Sequence, residues 1–254
     1  MQTITLIGSG NMALSIAKGL QGKYHIEAVG RSKESLNVFA KNLGSHLDTY
    51  LINDFDLSQK NLILCIKPHH IEEVGKQLQG KANLLISVLA GTSIMQIKKH
   101  FKADSFIRCM PNIAASIGES MTTLTGDINA KNESISILNT IGKTLWLNSE
   151  KEIDIATSLA GSGPAYLALI AESLTDGAVE QGLKREDAMS VMRGLFEGFS
   201  GLIQHTHPSL LKDMVMSPGG TTAAGYSALE KGNVRAACMD AIKEAYEKAK
   251  RLSS

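Results

Sequence analysis

The chain has 254 residues, of which 43% are hydrophobic and 20% are charged, so it is long enough for two domains and has the composition of a folded protein. Its net charge of +1 offers no basic field for a phosphate backbone, and we expect no nucleic-acid partner. No apolar run approaches the roughly 18 residues of a membrane-spanning helix, and a strand pattern follows Met1-Gln2 directly. These features predict a cytoplasmic protein with no membrane segment.

The cysteines and histidines predict neither a disulfide framework nor a metal site. Cys65, Cys109 and Cys238 are odd in number and far apart, so we expect core thiols. The histidine clusters at 69–70 and 205–207 have no cysteines or carboxylates at ligand spacing. We therefore expect no bound metal.

The N-terminus has the pattern of a dinucleotide-binding unit. A strand pattern over residues 3–7 leads through a glycine turn into an amphipathic helix. Gly8 suits the tight turn, Gly10 lets a pyrophosphate approach the backbone, and Ala13 replaces the third glycine of the fingerprint with another small residue. The N–H groups that open the helix would receive the pyrophosphate charge. The predicted cofactor-binding residues of this turn are Gly8, Ser9, Gly10, Asn11 and Met12.

The second strand pattern, over residues 26–29, ends in a basic turn. An NAD-binding protein would place a carboxylate here for the ribose hydroxyls, whereas this chain has Arg31, Ser32 and Lys33. A guanidinium, a hydroxyl and an ammonium at a helix start suit a 2′-phosphate, which favours NADPH. The alternative interpretation is a solvated basic turn.

Further strand patterns at 62–66, 84–88 and 106–109 alternate with helical patterns, which predicts a parallel sheet with crossover helices. In such sheets the ligand lies beyond the carboxyl ends of the strands, so the strand-end loops should face the nucleotide. These loops are Lys67-Pro68, Ala90-Gly91 and Pro111-Asn112. Lys67 could instead be a surface lysine. Two closing strands at 122–125 and 144–147 flank a helix at 133–141, and a domain boundary near Asn148 follows.

The second half is helical throughout. Gly194, Gly198 and Gly201 lie inside one predicted helix, where each glycine costs about 1 kcal/mol relative to alanine. Close approach of another helix would offset this cost. Because Leu195 and Phe199, with Phe196 between them, are large and apolar on the opposite face, both faces need burial. This predicts a partner chain, with a loosely packed bundle edge as the alternative.

The loop Ser-Pro-Gly-Gly-Thr-Thr at residues 217–222 is the second candidate site. A proline before two glycines exposes backbone N–H groups, and the two threonines add hydroxyls at the start of the next helix. Such a loop can hold a small carboxylate. The alternative is a simple Pro-Gly turn between helices.

In the order of its motifs, the whole chain resembles the pyrroline-5-carboxylate reductases, the enzymes of the last step of proline biosynthesis. The motifs that carry the resemblance are GSGNMA at 8–13, IKP at 66–68, RCMPN at 108–112, GSGPAY at 161–166, and SPGGTT at 217–222 followed by Ala224-Gly225 and Leu229-Glu230. The motifs at 161–166 and 217–222 are specific to the family. The fold class predicted is an α/β Rossmann-like dinucleotide-binding domain over residues 1–148 and an all-α dimerisation and substrate domain over residues 149–254.

The resemblance implies an oxidoreductase that prefers NADPH and also accepts NADH, and an interlocked homodimer that can form larger rings. It implies that Thr222 acts beside the ring nitrogen of pyrroline-5-carboxylate. The substrate-binding residues would be Ser217, Gly219, Gly220, Thr221, Thr222 and, less securely, Glu150. The further cofactor-binding residues would be Arg31, Ser32, Lys33, Asn53, Ile66, Lys67, Pro68 and Ala90. Tyr226 departs from the pattern, since the family usually has a branched aliphatic residue there.

Two other functions compete with this one. A β-hydroxyacid dehydrogenase has a similar glycine turn and helical second domain, but it needs a proton-transfer lysine. After the glycine-rich segment at 161–163 this chain has no lysine until Lys184. The other alternative is a non-catalytic NADPH-binding regulator, which would have no use for a carboxylate loop.

Overall fold

This computed structural model describes residues 1–44 and 47–253, with side chains described to residue 251. The chain forms two compact units. One comprises Met1–Ser162 with Ala245–Ser254, and the other comprises Gly163–Glu244. The first unit extends beyond Asn148 because residues 150–162 pack with the sheet. It also includes the end of the C-terminal helix. The boundary at residue 148 stays a prediction about sequence domains.

The first unit is built on one eight-stranded sheet in the order β3-β2-β1-β4-β5-β6-β7-β8. The first six strands in that order have the arrangement of a doubly wound dinucleotide-binding fold. The strands are β1 (Thr3–Ile7), β2 (His25–Gly30), β3 (Asp48–Leu51), β4 (Asn61–Leu64), β5 (Ala82–Ser87), β6 (Ala103–Met110), β7 (Ser120–Gly126) and β8 (Gly142–Trp146).

Helices cover both faces of this sheet. The helices of the first unit are α1 (Asn11–Leu20), α2 (Lys33–Leu43), α3 (Ile71–Gln77), α4 (Ile94–Lys98), α5 (Lys131–Leu138) and α6 (Glu150–Ala156). Apolar residues of α1, α2 and α5 form one buried cluster with the sheet, and those of α3 and α4 form a second. Sheets buried on both faces read as nearly continuous apolar strands, which is why the central strands were visible in the sequence.

Two features of the sheet differ from the sequence-based expectation. Strand β3 was not predicted, because it has only four residues and none of them is buried. Strand β7 runs antiparallel to β6, with Cys109 opposite Leu124, although all other pairs are parallel. The connection from β6 to β7 is a short segment with one 3-10 helix, Ile113–Ile117, instead of a long crossover helix, and antiparallel neighbours can be joined by so short a connection.

The second unit contains helices alone, as predicted. They are α7 (Gly163–Glu180), α8 (Arg185–Leu202), α9 (Pro208–Val215), α10 (Thr221–Lys231) and α11 (Val234–Ser253), the last of which ends in the first unit. Only Thr175, Ala188 and Leu211 are buried within this unit. Large apolar side chains remain exposed in the single chain, including Val191 at 65% and Leu195 at 57%. A helical unit with so little buried surface lacks a core of its own.

One helical stretch bears on the expectation of no membrane segment. Among the described residues, the helical stretch Glu150–Glu180 has the length and apolar content that a membrane span needs, with a mean hydropathy of 1.3. Polar residues interrupt this stretch, so it does not stand out in the sequence as an uninterrupted apolar run. One such helix is weak support for a membrane, because apolar helices of soluble proteins have the same composition. The expectation of no membrane segment therefore stays a prediction.

Candidate cofactor and substrate sites

The carboxyl ends of β1 and β4 open into a cavity of about 560 Å³. Gly8 lies at its base, where the Gly8 N–H donates to the Val29 carbonyl at 2.8 Å. Gly8 has a φ of 116°, and a Cβ at this position would lie 2.7 Å from the carbonyl oxygen of Cys65. Only glycine fits this turn without displacing β4. The cavity is lined by Ile7, Gly8, Ser9, Gly10, Val29, Gly30, Arg31, Ser32, Ser35, Ile52, Cys65, Ile66, Lys67, His70 and Val74.

Helix α1 begins at the mouth of this cavity. Its N-cap is Gly10, which offers no side chain to the first-turn N–H groups. In the described part of the chain, nothing beyond its immediate neighbours lies within 4 Å of the position that a Cβ of Gly10 would occupy, so the backbone there is open to a ligand. An uncapped helix start next to open space suits a pyrophosphate.

The basic turn after β2 lines the same cavity. Ser32 is the N-cap of α2, where its hydroxyl accepts the Ser35 N–H at 3.2 Å. Arg31 is half exposed, and its Nη1 lies 3.8 Å from Glu73 Oε2. The same carboxylate oxygen lies 3.1 Å from His70 Nδ1. Because exposed pairs of this kind are weak, the Arg31 guanidinium can exchange Glu73 for a phosphate.

Two thiols lie near this edge of the sheet. Burial raises the pKa of Cys65, which lines the cavity, to about 12. Burial also raises the pKa of Cys109 far above its ordinary value. Both side chains therefore stay protonated at neutral pH and act as apolar packing groups, as the sequence predicted. Cys238, by contrast, is exposed in the single chain, so the expectation of a core thiol is wrong there.

A buried arginine on β6 forms ion pairs with two carboxylates of α6. Arg108 on β6 is 1% exposed, and its Nη2 lies 2.5 Å from Asp154 Oδ1 on α6. Its Nη1 lies 3.4 Å from Glu150 Oε1, which also accepts the Ile94 N–H at 2.8 Å. A desolvated guanidinium needs such partners, so this cluster fixes α6 and the start of α4 against β6.

Arg108 also lines a second cavity, of about 270 Å³. Ala90, which was predicted on the nicotinamide side, lines this cavity as well. Within the described part of the chain, Arg108 Nε is buried without a hydrogen-bond partner. Asp154 lines this second cavity too, so the Arg108–Asp154 ion pair forms a charged part of a wall beyond β5 and β6.

The loop after β6 is held by Asn112. Its side-chain amide donates to the Ala160 carbonyl at 3.0 Å, and its Oδ1 accepts the Ala114 N–H at 3.1 Å. In an α-helix the Ala160 carbonyl would accept from residue 164, but Pro164 has no N–H. Residues Thr157–Gly161 form a π-helical turn here. Asn112 thus supplies the hydrogen bond that proline removes.

The predicted carboxylate loop is a compact turn. The Gly220 N–H donates to the Ser217 carbonyl at 3.0 Å, and Gly219 has a φ of 72°. Proline followed by glycine in the left-handed region is the sequence of a type II turn. A Cβ at Gly220 would lie 2.4 Å from the hydroxyl oxygen of Ser217, so a side chain there would require the Ser217 hydroxyl to move.

Helix α10 begins directly after this turn and has no side-chain cap. Gly220 is its N-cap, and Thr221 and Thr222 are its first two residues. Both threonines are exposed. The first-turn N–H groups have no partner within a helix, so they and the Thr222 hydroxyl are available to a ligand. The Gly220 N–H, by contrast, is already used by Ser217.

Comparisons with known proteins agree with this geometry. Residues 150–252 match the family model described as pyrroline-5-carboxylate reductase dimerisation. Residues 3–91 match the model described as NADP oxidoreductase, coenzyme F420-dependent. A pyrroline-5-carboxylate reductase of Arabidopsis thaliana is 34% identical to this chain, over 98% of this chain and 95% of the relative.

The chain belongs to the pyrroline-5-carboxylate reductase family. Solved structures of the family have the same fold. The Streptococcus pyogenes enzyme is 32% identical, with a TM-score of 0.87 over 98% of both chains. The Plasmodium falciparum enzyme, solved with NADP bound, is 26% identical, with a TM-score of 0.84 over 100% of both chains. This membership rules out the β-hydroxyacid dehydrogenase alternative and confirms the predicted fold class.

The structure brings together about half of the cofactor residues predicted for a reductase of this family. The predicted residues that line the first cavity are Gly8, Ser9, Gly10, Arg31, Ser32, Ile66 and Lys67. Lys33 lines a different cavity with Thr49 and Asp54, and Ala90 lines the cavity at Arg108. Asn11, Met12, Asn53 and Pro68 are not among the lining residues, although Asn11 and Met12 open α1 beside them.

Sequence reasoning missed several residues that line the two candidate cavities. Ser35, His70 and Val74 line the first cavity, and Arg108 lines the second. Ser35 could have been found as the capping partner three residues after Ser32. Arg108 was noted only as part of a family motif, and no local signal indicates its partner Asp154. Within the described chain, no group of three metal-ligating side chains is close enough to hold a metal ion.

Proposed function

We propose that this protein reduces pyrroline-5-carboxylate to proline with NADPH as the hydride donor. The observation that carries the proposal is the uncapped start of α10 after the Ser217–Gly220 turn, because it offers a small carboxylate site in addition to the nucleotide cavity. Family membership supports the reaction, and the NADP-bound Plasmodium falciparum relative supports the cofactor.

The residues of the first cavity fit NADPH. The open backbone at Gly10 leaves room for the pyrophosphate. Arg31 and Ser32 end β2 with a cation and a hydroxyl, where an NAD enzyme would have a carboxylate. Arg31 would then exchange its long contact with Glu73 for the 2′-phosphate. When bound, the dihydronicotinamide supplies the hydride, and Ala90 is proposed to lie beside it.

We propose that the chief role of the protein's residues is to orient the substrate. The N–H groups of Thr221, Thr222 and Ala223 would hold the substrate carboxylate, helped by the positive end of α10. This revises the predicted donor set, because the Gly220 N–H already donates to Ser217. The Thr222 hydroxyl would hydrogen-bond the ring nitrogen. If the substrate arrives as the iminium, the C=N electron pair moves onto an already protonated nitrogen, and no strong general acid is needed.

Glu150 has a weaker case as a substrate residue. Its Oε1 already accepts the Ile94 N–H at 2.8 Å and lies 3.4 Å from Arg108 Nη1. We propose that Glu150 acts chiefly by holding α4 and Arg108 in place.

The proposed reaction is tested by mixing the purified protein with NADPH and pyrroline-5-carboxylate. Loss of reduced-cofactor absorbance together with formation of proline is the expected result. Binding of NADPH without turnover would instead identify a non-catalytic NADPH-binding regulator. An assay with NADH in place of NADPH measures whether the second cofactor is accepted.

NADPH preference can be tested at Ser32. Ser32→Asp keeps a good N-cap for α2 but places a negative charge beside the proposed 2′-phosphate. We expect the KM for NADPH to rise about tenfold or more, while the KM for NADH stays within about twofold. Ser32→Asn is the matched control, because it also caps the helix and carries no charge. Equal changes in the KM values for the two cofactors would show that this turn does not recognise the 2′-phosphate.

We further propose that the protein is a homodimer built through its second unit. The match of residues 150–252 to a dimerisation model supports this, as do the exposed apolar side chains of α7 and α8. Covering them would also account for the apolar stretch Glu150–Glu180 without a membrane. We also propose that the dimers can assemble into rings and that the protein is cytoplasmic.

A further inference from the structure

Tyr226 lies on α10, one helical turn after Thr222 on the same face. The proposed reaction assigns no role to Tyr226. The family resemblance leads one to expect a branched aliphatic side chain here. The structure gives the tyrosine three polar neighbours, all within the second unit.

The first neighbour is Lys212 on α9. Its Nζ lies 5.3 Å from the centre of the Tyr226 ring, within the range of a cation–π contact. Helix α9 ends at Val215, and α10 begins at Thr221. The contact therefore joins the two helices that flank the proposed carboxylate turn.

The other two neighbours fix the hydroxyl of Tyr226. Arg235 Nη2, on α11, donates to Tyr226 Oη at 2.8 Å, and the Tyr226 hydroxyl donates to Glu230. Arg235 Nη2 also lies 2.5 Å from Glu230 Oε1. The hydrogen bond from Arg235, followed by that from Tyr226, holds the pKa of Glu230 below its ordinary value. The carboxylate is thus ionised at neutral pH and keeps the ring oriented.

A branched aliphatic residue could make none of these contacts. Each contact is at the protein surface, where a single ion pair contributes little to the stability of the fold. Three groups around one ring, however, act together: Glu230 and Arg235 fix the ring, and its contact with Lys212 restricts how α9 can move relative to α10. Among the described residues, the Ser217–Gly220 hydrogen bond is the one that holds the shape of the chain between those helices.

We propose that Tyr226 is a positioning residue for the substrate carboxylate. By joining Lys212, Glu230 and Arg235 it holds the turn at residues 217–222 in the shape that presents the N–H groups of α10. This inference rests on the proposed function of that turn. It assigns Tyr226 an effect on substrate binding and none on the cofactor cavity.

The kinetic test uses Tyr226→Leu and Tyr226→Phe. We expect Tyr226→Leu to raise the KM for pyrroline-5-carboxylate about three- to tenfold, with kcat and the KM for NADPH within about twofold of wild type. Tyr226→Phe keeps the ring over Lys212 and should raise the KM less. Asp176→Asn is the control, since it breaks an exposed ion pair with Arg185 away from the turn. Its KM values should not change.

Hydrogen–deuterium exchange of the ligand-free protein supplies a second test that needs no turnover. The amides of residues 219–224 should exchange about three- to tenfold faster in Tyr226→Leu than in wild type or Asp176→Asn. Unchanged exchange would overturn the proposal, and so would equal increases in the KM for substrate and for NADPH, which indicate a general loss of structure. If wild type fails to reduce pyrroline-5-carboxylate, the proposed function fails, whereas the exchange experiment still decides whether Tyr226 holds the turn.

Discussion

Replacement of Thr222 by valine is expected to lower kcat/KM for pyrroline-5-carboxylate about ten- to hundredfold. Valine keeps the shape of the side chain but removes the hydroxyl, and a lost hydrogen bond to a charged group costs about 1.5–3 kcal/mol. Steady-state kinetics with pyrroline-5-carboxylate as the varied substrate measure this change. The affinity for NADPH, measured by fluorescence titration, should barely change.

The structure makes this experiment cleaner than the sequence alone would. A threonine at a helix start can be a simple cap, in which case valine would lower stability instead of activity. Here the N-cap is Gly220, and Thr222 is the second residue of the helix. The matched control is Thr221→Val, which should have a smaller effect because Thr221 is expected to act through its backbone. Turnover of Thr222→Val within twofold of wild type would mean that the ring nitrogen has another partner, such as ordered water.

The second large effect is expected for Gly198→Leu, which should weaken the proposed dimer. Among the described residues, nothing other than the adjacent residues and the helix's own backbone lies within 4 Å of the position that a Cβ of Gly198 would occupy, and the same holds for Gly194 and Gly201. Because the Cβ position is open within the single chain, we expect a leucine there to clash chiefly with a partner chain. Overpacking costs about 1–3 kcal/mol, which corresponds to a rise in the dimer dissociation constant of roughly ten- to hundredfold.

Sedimentation velocity over a range of concentrations measures this dissociation constant. Gly198→Ala is the control, because it adds a single methyl group, raises helix propensity and should sediment almost as wild type does. If Gly198→Leu stays as oligomeric as wild type, the glycine face of α8 is not the contact between chains. Another exposed apolar surface of the second unit would then have to form the dimer.

The local structure of this protein could be predicted from its sequence. The strand at Thr3–Ile7 and the helix after it were predicted because buried strands and amphipathic helices leave a periodic signal over a few residues. The turn at residues 217–222 was also predicted, because proline and glycine restrict the backbone by their own covalent structure. The five helices of the second unit follow from the same 3.6-residue periodicity.

The sequence by itself thus determined the strand–turn–helix pattern of the first unit, the helical second half and the turn at residues 217–222, because each leaves a signal within a few neighbouring residues. The tertiary structure alone decided that β7 runs antiparallel to β6 and that Arg108 pairs with Asp154, 46 residues away. It also decided that Tyr226 meets Lys212 and Arg235 on two other helices. Side chains that lie far apart in sequence leave no periodic signal, since their pairing depends on how complete elements pack against one another.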